Sequence, residues 1–260
     1  MRIHPLFPTL VCEWVNDNNP QLKESFFNDL LNRSNNNPGY PDDPPGTNSS
    51  MPNSDLARNY GWFDERPNIH HDPILDELFT WITRCAKQYI SQLQVDDDLW
   101  DFNVVKSWKM INDAGMQEEH DHSDGNLSFV YYVNIPDPAT VARISFRNEH
   151  QPNDIIGNMF YARRQGPNTS ESSPIVRRWN EFNSTKWTFV PGEGVLFIFP
   201  GTLKHFTDHS HLKNSQYPQY TTKTMRNSRV TIAGDFLLTY KKQNRVDTGL
   251  MPPHTWKLFA

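Results

Sequence analysis

Apolar positions along the chain fall into two textures, helix-spaced in the first hundred residues and strand-like afterwards. The segment opened by Asn19-Pro20 places Leu22, Phe26, Phe27, Leu30 and Leu31 on one face, which predicts a helix with an Asn cap and Pro at its first position. A stronger helix is predicted after Asp72-Pro73, where Ile74, Leu75, Leu78, Phe79, Ile82, Ala86, Tyr89, Ile90 and Leu93 recur at helical spacing. Residues 34–54 between them are almost exclusively Pro, Gly, Asn, Asp and Ser. Such a stretch buries too little surface to hold a packed element and reads as a long surface loop.

Short β-like runs separated by turn residues follow at 102–111, 127–135, 141–146, 185–190, 194–199 and Arg229–Tyr240. Helices first and strands later predict an α+β domain whose second half is an antiparallel sandwich or barrel. We expect one domain, with a helical and loop part over 1–101, a strand-rich core over 102–242 and a tail over 243–260. The polar insertions 148–181 and 208–228 flank the candidate site described next and read either as lids or substrate-contacting loops or as disordered loops with no role.

Composition adds mainly exclusions. With 260 residues, 36% hydrophobic and 13% aromatic, the chain can bury a sizeable core. A formal net charge of -5 gives no electrostatic footprint for nucleic acid. No run approaches the roughly 18 apolar residues of a membrane span, and the first residues lack the apolar stretch of a signal peptide. The expectation is a soluble, cytoplasmic protein. The two cysteines, Cys12 in a strand-like run and Cys85 in the second helix, read as reduced core thiols. Nothing in the sequence indicates an oligomeric state.

The candidate chemistry lies at Glu119-His120-Asp121-His122-Ser123-Asp124, just before the run at 127–135. Alternate residues of an extended chain point the same way, so two of His120, His122 and Asp124 can face one metal. His205 follows a fully apolar strand and the turn Pro200-Gly201-Thr202, a rigid support of the kind that coordination requires. Two imidazoles and a carboxylate with open positions opposite suit non-haem iron(II), and zinc fits the same residue types. The last strand separates the two. Val230, Ile232 and Phe236 alternate with Arg229, Thr231, Ala233 and Asp235, and an Arg facing the inside of a barrel requires an anion. A dicarboxylate held by Arg229 with help from Thr231 meets that requirement, the arrangement expected for 2-oxoglutarate.

In order along the chain stand His120-Asp121-His122, then Leu127-Ser128-Phe129-Val130-Tyr131-Tyr132, then Gly194-Val195-Leu196-Phe197-Ile198-Phe199-Pro200 leading to His205, then Arg229-Val230-Thr231. This set resembles the iron(II)/2-oxoglutarate-dependent oxygenase superfamily, most closely a branch found in bacteria and marine phages. Pro5-Leu6-Phe7-Pro8-Thr9 and Gly61-Trp62 extend the likeness over nearly the whole chain. Phe129 stands where the branch has Gly, Thr231 where it has Ser, and the spacing from His205 to Arg229 is longer than usual. An inserted loop over 214–225 accommodates that spacing.

The resemblance implies a double-stranded β-helix, the cupin-like jelly-roll, with the N-terminal helices packed on its sheet. It implies iron(II), 2-oxoglutarate as co-substrate and dioxygen, with hydroxylation of a substrate and release of succinate and CO2. Arg229 would hold the distal carboxylate, with Thr231 and Tyr131 or Tyr132 beside it. A phage-encoded protein of this kind would work in the host cytoplasm. Two ligand frames stay open, His120 and His122 with His205, or His122 and Asp124 with His205. The alternative function is a non-catalytic jelly-roll module binding a sugar, a peptide or a phage accessory partner. His209 and His211 read as loop residues, and His70-His71 as an exposed capping context. Trp108, Trp187 and Phe189 read as core or sheet packing.

Overall fold

Both predicted apolar helix faces are used against one face of a sheet. A computed structural model describes residues 8–36, 69–112, 119–123, 125–136, 143–147, 180, 182–207, 226 and 229–241, with the side chains at 30–36 and 111–112 left aside. Helix α1 spans Asn19–Asn36 and so runs slightly into the stretch expected to be loop. Asn19 does not cap it. The side chain is buried, donating to the Val133 carbonyl at 3.1 Å and accepting from the Tyr131 hydroxyl at 2.7 Å. Asp72 does cap, accepting from the Ile74 amide at 3.2 Å, and the 3-10 turn it opens at Pro73–Leu75 leads directly into α2, Asp76–Gln92. Leu78, Phe79, Ile82, Cys85, Ala86, Tyr89 and Ile90 form the buried face of α2, while Leu93, expected on that face, is exposed. Cys12 and Cys85 are both free thiols.

The strands are β1 Cys12–Val15, β2 Trp100–Asn112, β3 Leu127–Asn134, β4 Ile144–Arg147, β5 Lys186–Phe189, β6 Val195–Pro200, β7 His205–Thr207 and β8 Arg229–Tyr240. They form a five-stranded sheet in the order β1-β6-β3-β8-β2 and a three-stranded sheet in the order β5-β4-β7. Every pairing is antiparallel. This is the expected α+β, double-stranded β-helix arrangement, with both helices on the outer face of the larger sheet. Sequence pattern anticipated six of these strands closely. The strand-like run around Cys12 anticipated β1, and the remaining strand, β7, has only three residues, too few to show a period.

Alternation along the strands of the larger sheet divides the core in two. Phe129, Tyr131, Ile198, Ile232 and Phe236 pack with α1 and α2. Tyr132, Phe197 and Phe199 face the smaller sheet and meet Ile144 and Phe146 between the layers. The cavity described below opens into this second, inter-sheet space. Among the described residues, no helix is long and apolar enough to cross a membrane.

Candidate metal centre

The turn from β6 to β7 crosses from the larger sheet to the smaller one and delivers His205 at the start of its strand. His120 is brought against it by a reciprocal backbone pair, His120 N–H to the His205 carbonyl at 3.1 Å and His205 N–H to the His120 carbonyl at 2.9 Å. Two residues on, the His122 amide donates to the Gly201 carbonyl at 2.7 Å. This close approach needs glycine. A Cβ at Gly201 would stand 2.4 Å from the Gly125 carbonyl oxygen and 2.7 Å from that of His122. The backbone of one turn thus fixes where all three imidazoles begin.

The rings converge. One ligand atom from each of His120, His122 and His205 lies within 4.8 Å of the others, with His122 and His205 buried and His120 half-buried. Hydrogen bonds decide which nitrogens are available. His205 Nδ1 lies 3.0 Å from the Leu203 carbonyl, which can only accept, so Nδ1 carries the proton and Nε2 the lone pair. His122 Nδ1 lies 2.6 Å from Asp235 Oδ1 and gives the same assignment. Burial pushes the His205 imidazole down to about 3, against the Leu203 hydrogen bond that favours its charged form. The ring is therefore neutral at ordinary pH, as a metal ligand must be.

The same cavity carries Arg229, Thr231 and Tyr132 on its wall, with Trp108 and Phe199 among its aromatic lining. Thr231 stands opposite Tyr132 on β3 and Met110 on β2. Arg229 is 6% exposed, and its Nη1 is buried with no hydrogen-bond partner among the described residues. Burial lowers its pKa, opposed by the neighbouring Tyr132. Among the described residues no carboxylate pairs with this guanidinium, and a carboxylate delivered with a ligand would do so. The donor set and the orphaned guanidinium nitrogen both fit a metal ion bound together with an anionic co-substrate.

Sequence and structure differ at several residues. Tyr131 points away from the cavity, its ring against Trp81 and its hydroxyl on Asn19, so only Tyr132 of the pair reaches the site. Trp108, read as packing, is buried beside His122 with ring centroids 5.5 Å apart. Trp187 is 45% exposed on β5 rather than packed. His70 is half-buried, with Nδ1 2.8 Å from Ser107 Oγ, while His71 is exposed as expected. Asp124, His209, His211 and almost all of both polar insertions lie outside the described residues. Sequence reasoning passed over Asp235 as a functional residue, although the alternation of β8 had placed it on the face of Arg229.

A sandwich of two antiparallel sheets here gathers three imidazoles and a buried arginine around one cavity, an arrangement suited to a metal ion and an anionic co-substrate. Residues 106–217 match the family described as "Putative 2OG-Fe(II) oxygenase". This match, over the segment that carries His120, His122 and His205, supports an oxygenase dependent on iron(II) and 2-oxoglutarate. The chain is similar to a prolyl-4-hydroxylase of Pseudomonas putida, at 10% identity over 87% of this chain and 91% of that one, with a TM-score of 0.46. HygX of Streptomyces hygroscopicus, solved with nickel and 2-oxoglutarate bound, shares 14% identity over 88% and 82% of the two chains, with a TM-score of 0.42. SnoN, a non-heme alpha ketoglutarate dependent epimerase from nogalamycin biosynthesis, shares 8% over 96% and 87%, with a TM-score of 0.43. Likeness this loose transfers no residue or substrate. No curated protein matches the chain.

Proposed function

We propose that His120, His122 and His205 hold iron(II), that Arg229 with Thr231 and Tyr132 receives the distal carboxylate of 2-oxoglutarate, and that the protein hydroxylates a substrate. The observation that carries this reading is the position of the histidine trio and the buried arginine on the walls of one cavity. When bound, iron(II) with 2-oxoglutarate and dioxygen supplies the oxidising power: one oxygen atom enters a substrate C–H bond as hydroxyl, the other enters succinate, and CO2 leaves.

The chain's own part is placement and exclusion. His120, His122 and His205 would hold the metal and leave the rest of its coordination to the co-substrate and oxygen. Arg229 offers its planar fork to a carboxylate, and a bidentate pair fixes both distance and direction. Burial pushes the Tyr132 phenol up to about 12, so it keeps its proton and can donate to the same anion. Trp108 and Phe199 line the cavity and keep water from the reacting centre while holding the target carbon in place. His120 takes the third ligand position in this reading because its backbone is paired directly with that of His205. The reading takes the protein to be cytoplasmic, in keeping with its free cysteines.

Equilibrium titration with manganese(II) as a redox-stable stand-in tests the ligand set. Wild-type protein should bind one ion, and His120→Ala, His122→Ala and His205→Ala should each lose that affinity. Retained affinity in His120→Ala with loss in Asp124→Ala would move the third ligand to Asp124, and retained affinity in His205→Ala would overturn the site.

A further inference from the structure

Asp235 lies on the same strand face as Arg229 and Thr231 but has no part in the mechanism above. It is completely buried. Its Oδ1 stands 2.6 Å from His122 Nδ1 and 2.7 Å from Ser128 Oγ, and its Oδ2 stands 3.2 Å from Lys106 Nζ. Ser128 and Lys106 are its register partners on the two neighbouring strands, so the sheet itself brings these donors to the carboxylate. His122 does not come from the sheet. It comes from the loop that carries His120, and Gly125 lets that loop lie on Asp235, since a Cβ there would meet the Asp235 Cβ at 2.9 Å.

A carboxylate already served by a lysine and a serine has its charge balanced without an imidazole. The third contact, shorter than the other two, goes to a residue whose remaining nitrogen faces a metal-binding task. His205 makes the corresponding contact to an uncharged carbonyl, at 3.0 Å. The two buried imidazoles are therefore unequal. A ring hydrogen-bonded to a carboxylate is the more basic donor and the more firmly oriented one. An all-histidine set also brings no negative charge to a divalent ion, whereas the two-histidine, one-carboxylate set of non-haem iron enzymes does.

We propose that Asp235 is the positioning residue of this metal centre. Through its hydrogen bond it holds His122 in the tautomer that offers Nε2, and it supplies from one residue away the negative charge that three imidazoles lack. This rests on the reading that His122 is a ligand. Lys106 and Ser128 hold the carboxylate itself in place.

Asp235→Asn keeps the shape and removes the charge. The expected result is manganese(II) and cobalt(II) binding weakened by roughly 10- to 100-fold, the range for loss of an outer-shell partner, with a changed cobalt ligand-field spectrum. Lys23→Met removes an ion pair to Glu193 that takes no part in the metal centre and should keep metal affinity within about threefold of wild type. Wild-type affinity and an unchanged cobalt spectrum in Asp235→Asn would overturn the proposal. His122→Ala run in parallel separates the two failures. If it too binds like wild type, the ligand reading falls, and if it alone loses metal, only the role of Asp235 falls. Should Asp235→Asn not fold, nitrogen-15 NMR of zinc-loaded wild-type protein decides. A proton on His122 Nδ1 with Nε2 on the metal is expected, and the reverse assignment overturns the proposal.

Discussion

Replacing Arg229 by methionine should move stability and ligand binding in opposite directions. The side chain is 6% exposed, and its Nη1 has no hydrogen-bond partner among the described residues. Without its anion the folded protein therefore carries a buried charge that is poorly compensated. Exchanging such a charge for an apolar side chain of similar volume is neutral or stabilising by about 1–4 kcal/mol. Binding shows the other side. A 2-oxoglutarate carboxylate left in this pocket without its cation should cost about 3–5 kcal/mol. At 1.4 kcal/mol per tenfold, that is roughly 140- to 3,700-fold in affinity. The assays are thermal unfolding of the ligand-free protein and anaerobic calorimetry of 2-oxoglutarate binding to manganese-loaded protein. Arg229→Met should unfold at the same temperature as wild type or a higher one, bind manganese normally and bind 2-oxoglutarate poorly. A variant that loses stability while retaining 2-oxoglutarate affinity would show Arg229 to be a structural charge and refute the reasoning.

The adjacent tyrosines should separate cleanly. Tyr132→Phe removes a hydroxyl from the cavity wall and should weaken 2-oxoglutarate binding several-fold. Tyr131→Phe removes the 2.7 Å bond to Asn19 and should leave that affinity unchanged while lowering unfolding stability by about 1 kcal/mol, as parallel calorimetry and urea unfolding would show. Gly201→Ala forces a Cβ against two backbone oxygens and should weaken manganese binding at least tenfold; unchanged binding would mean that the turn does not set the ligand loop. His70 gives a pH signature away from the metal centre. Burial, with His71 beside it, lowers its pKa from 6.5 to about 4, and Nδ1 sits on the Ser107 hydroxyl that its own amide also reaches. Between those values the unfolded chain binds more protons than the folded one. Stability is therefore full above about 6.5 and falls as pH drops towards about 4. Urea unfolding across that range should show a slope that His70→Asn flattens, and an equal slope in both proteins would remove His70 as its source.

Much of this architecture was written in the chain because strand period and burial agree. The alternation from Arg229 to Asp235 survives intact in β8, Val230 and Ile232 packing towards the helices and Arg229 and Thr231 towards the cavity. The apolar run ending at Phe199 became a buried strand, and the turn after it set His205 where a ligand was expected. What could not be read is what depends on register between distant strands. The alternation put Asp235 on the right face, but its meeting with His122 requires β8 to lie beside β3 with Ser128 opposite Asp235, a relation that no local pattern encodes. Tyr131 and Tyr132 were bound to face opposite ways, yet which one reaches the site follows only from the pairing of Tyr132 with Thr231. Asn19 carried a genuine capping signal and was taken instead by a tertiary contact to β3.

The central claim is that this trio of histidines makes the protein turn over 2-oxoglutarate with iron. Its most direct test loads wild-type protein and His205→Ala anaerobically with iron(II) and 2-oxoglutarate, admits oxygen and quantifies succinate. Wild-type protein should form succinate in an iron-dependent way, and His205→Ala none above background. Equal succinate from both proteins, or none from wild-type protein that has bound iron and 2-oxoglutarate, would contradict the claim.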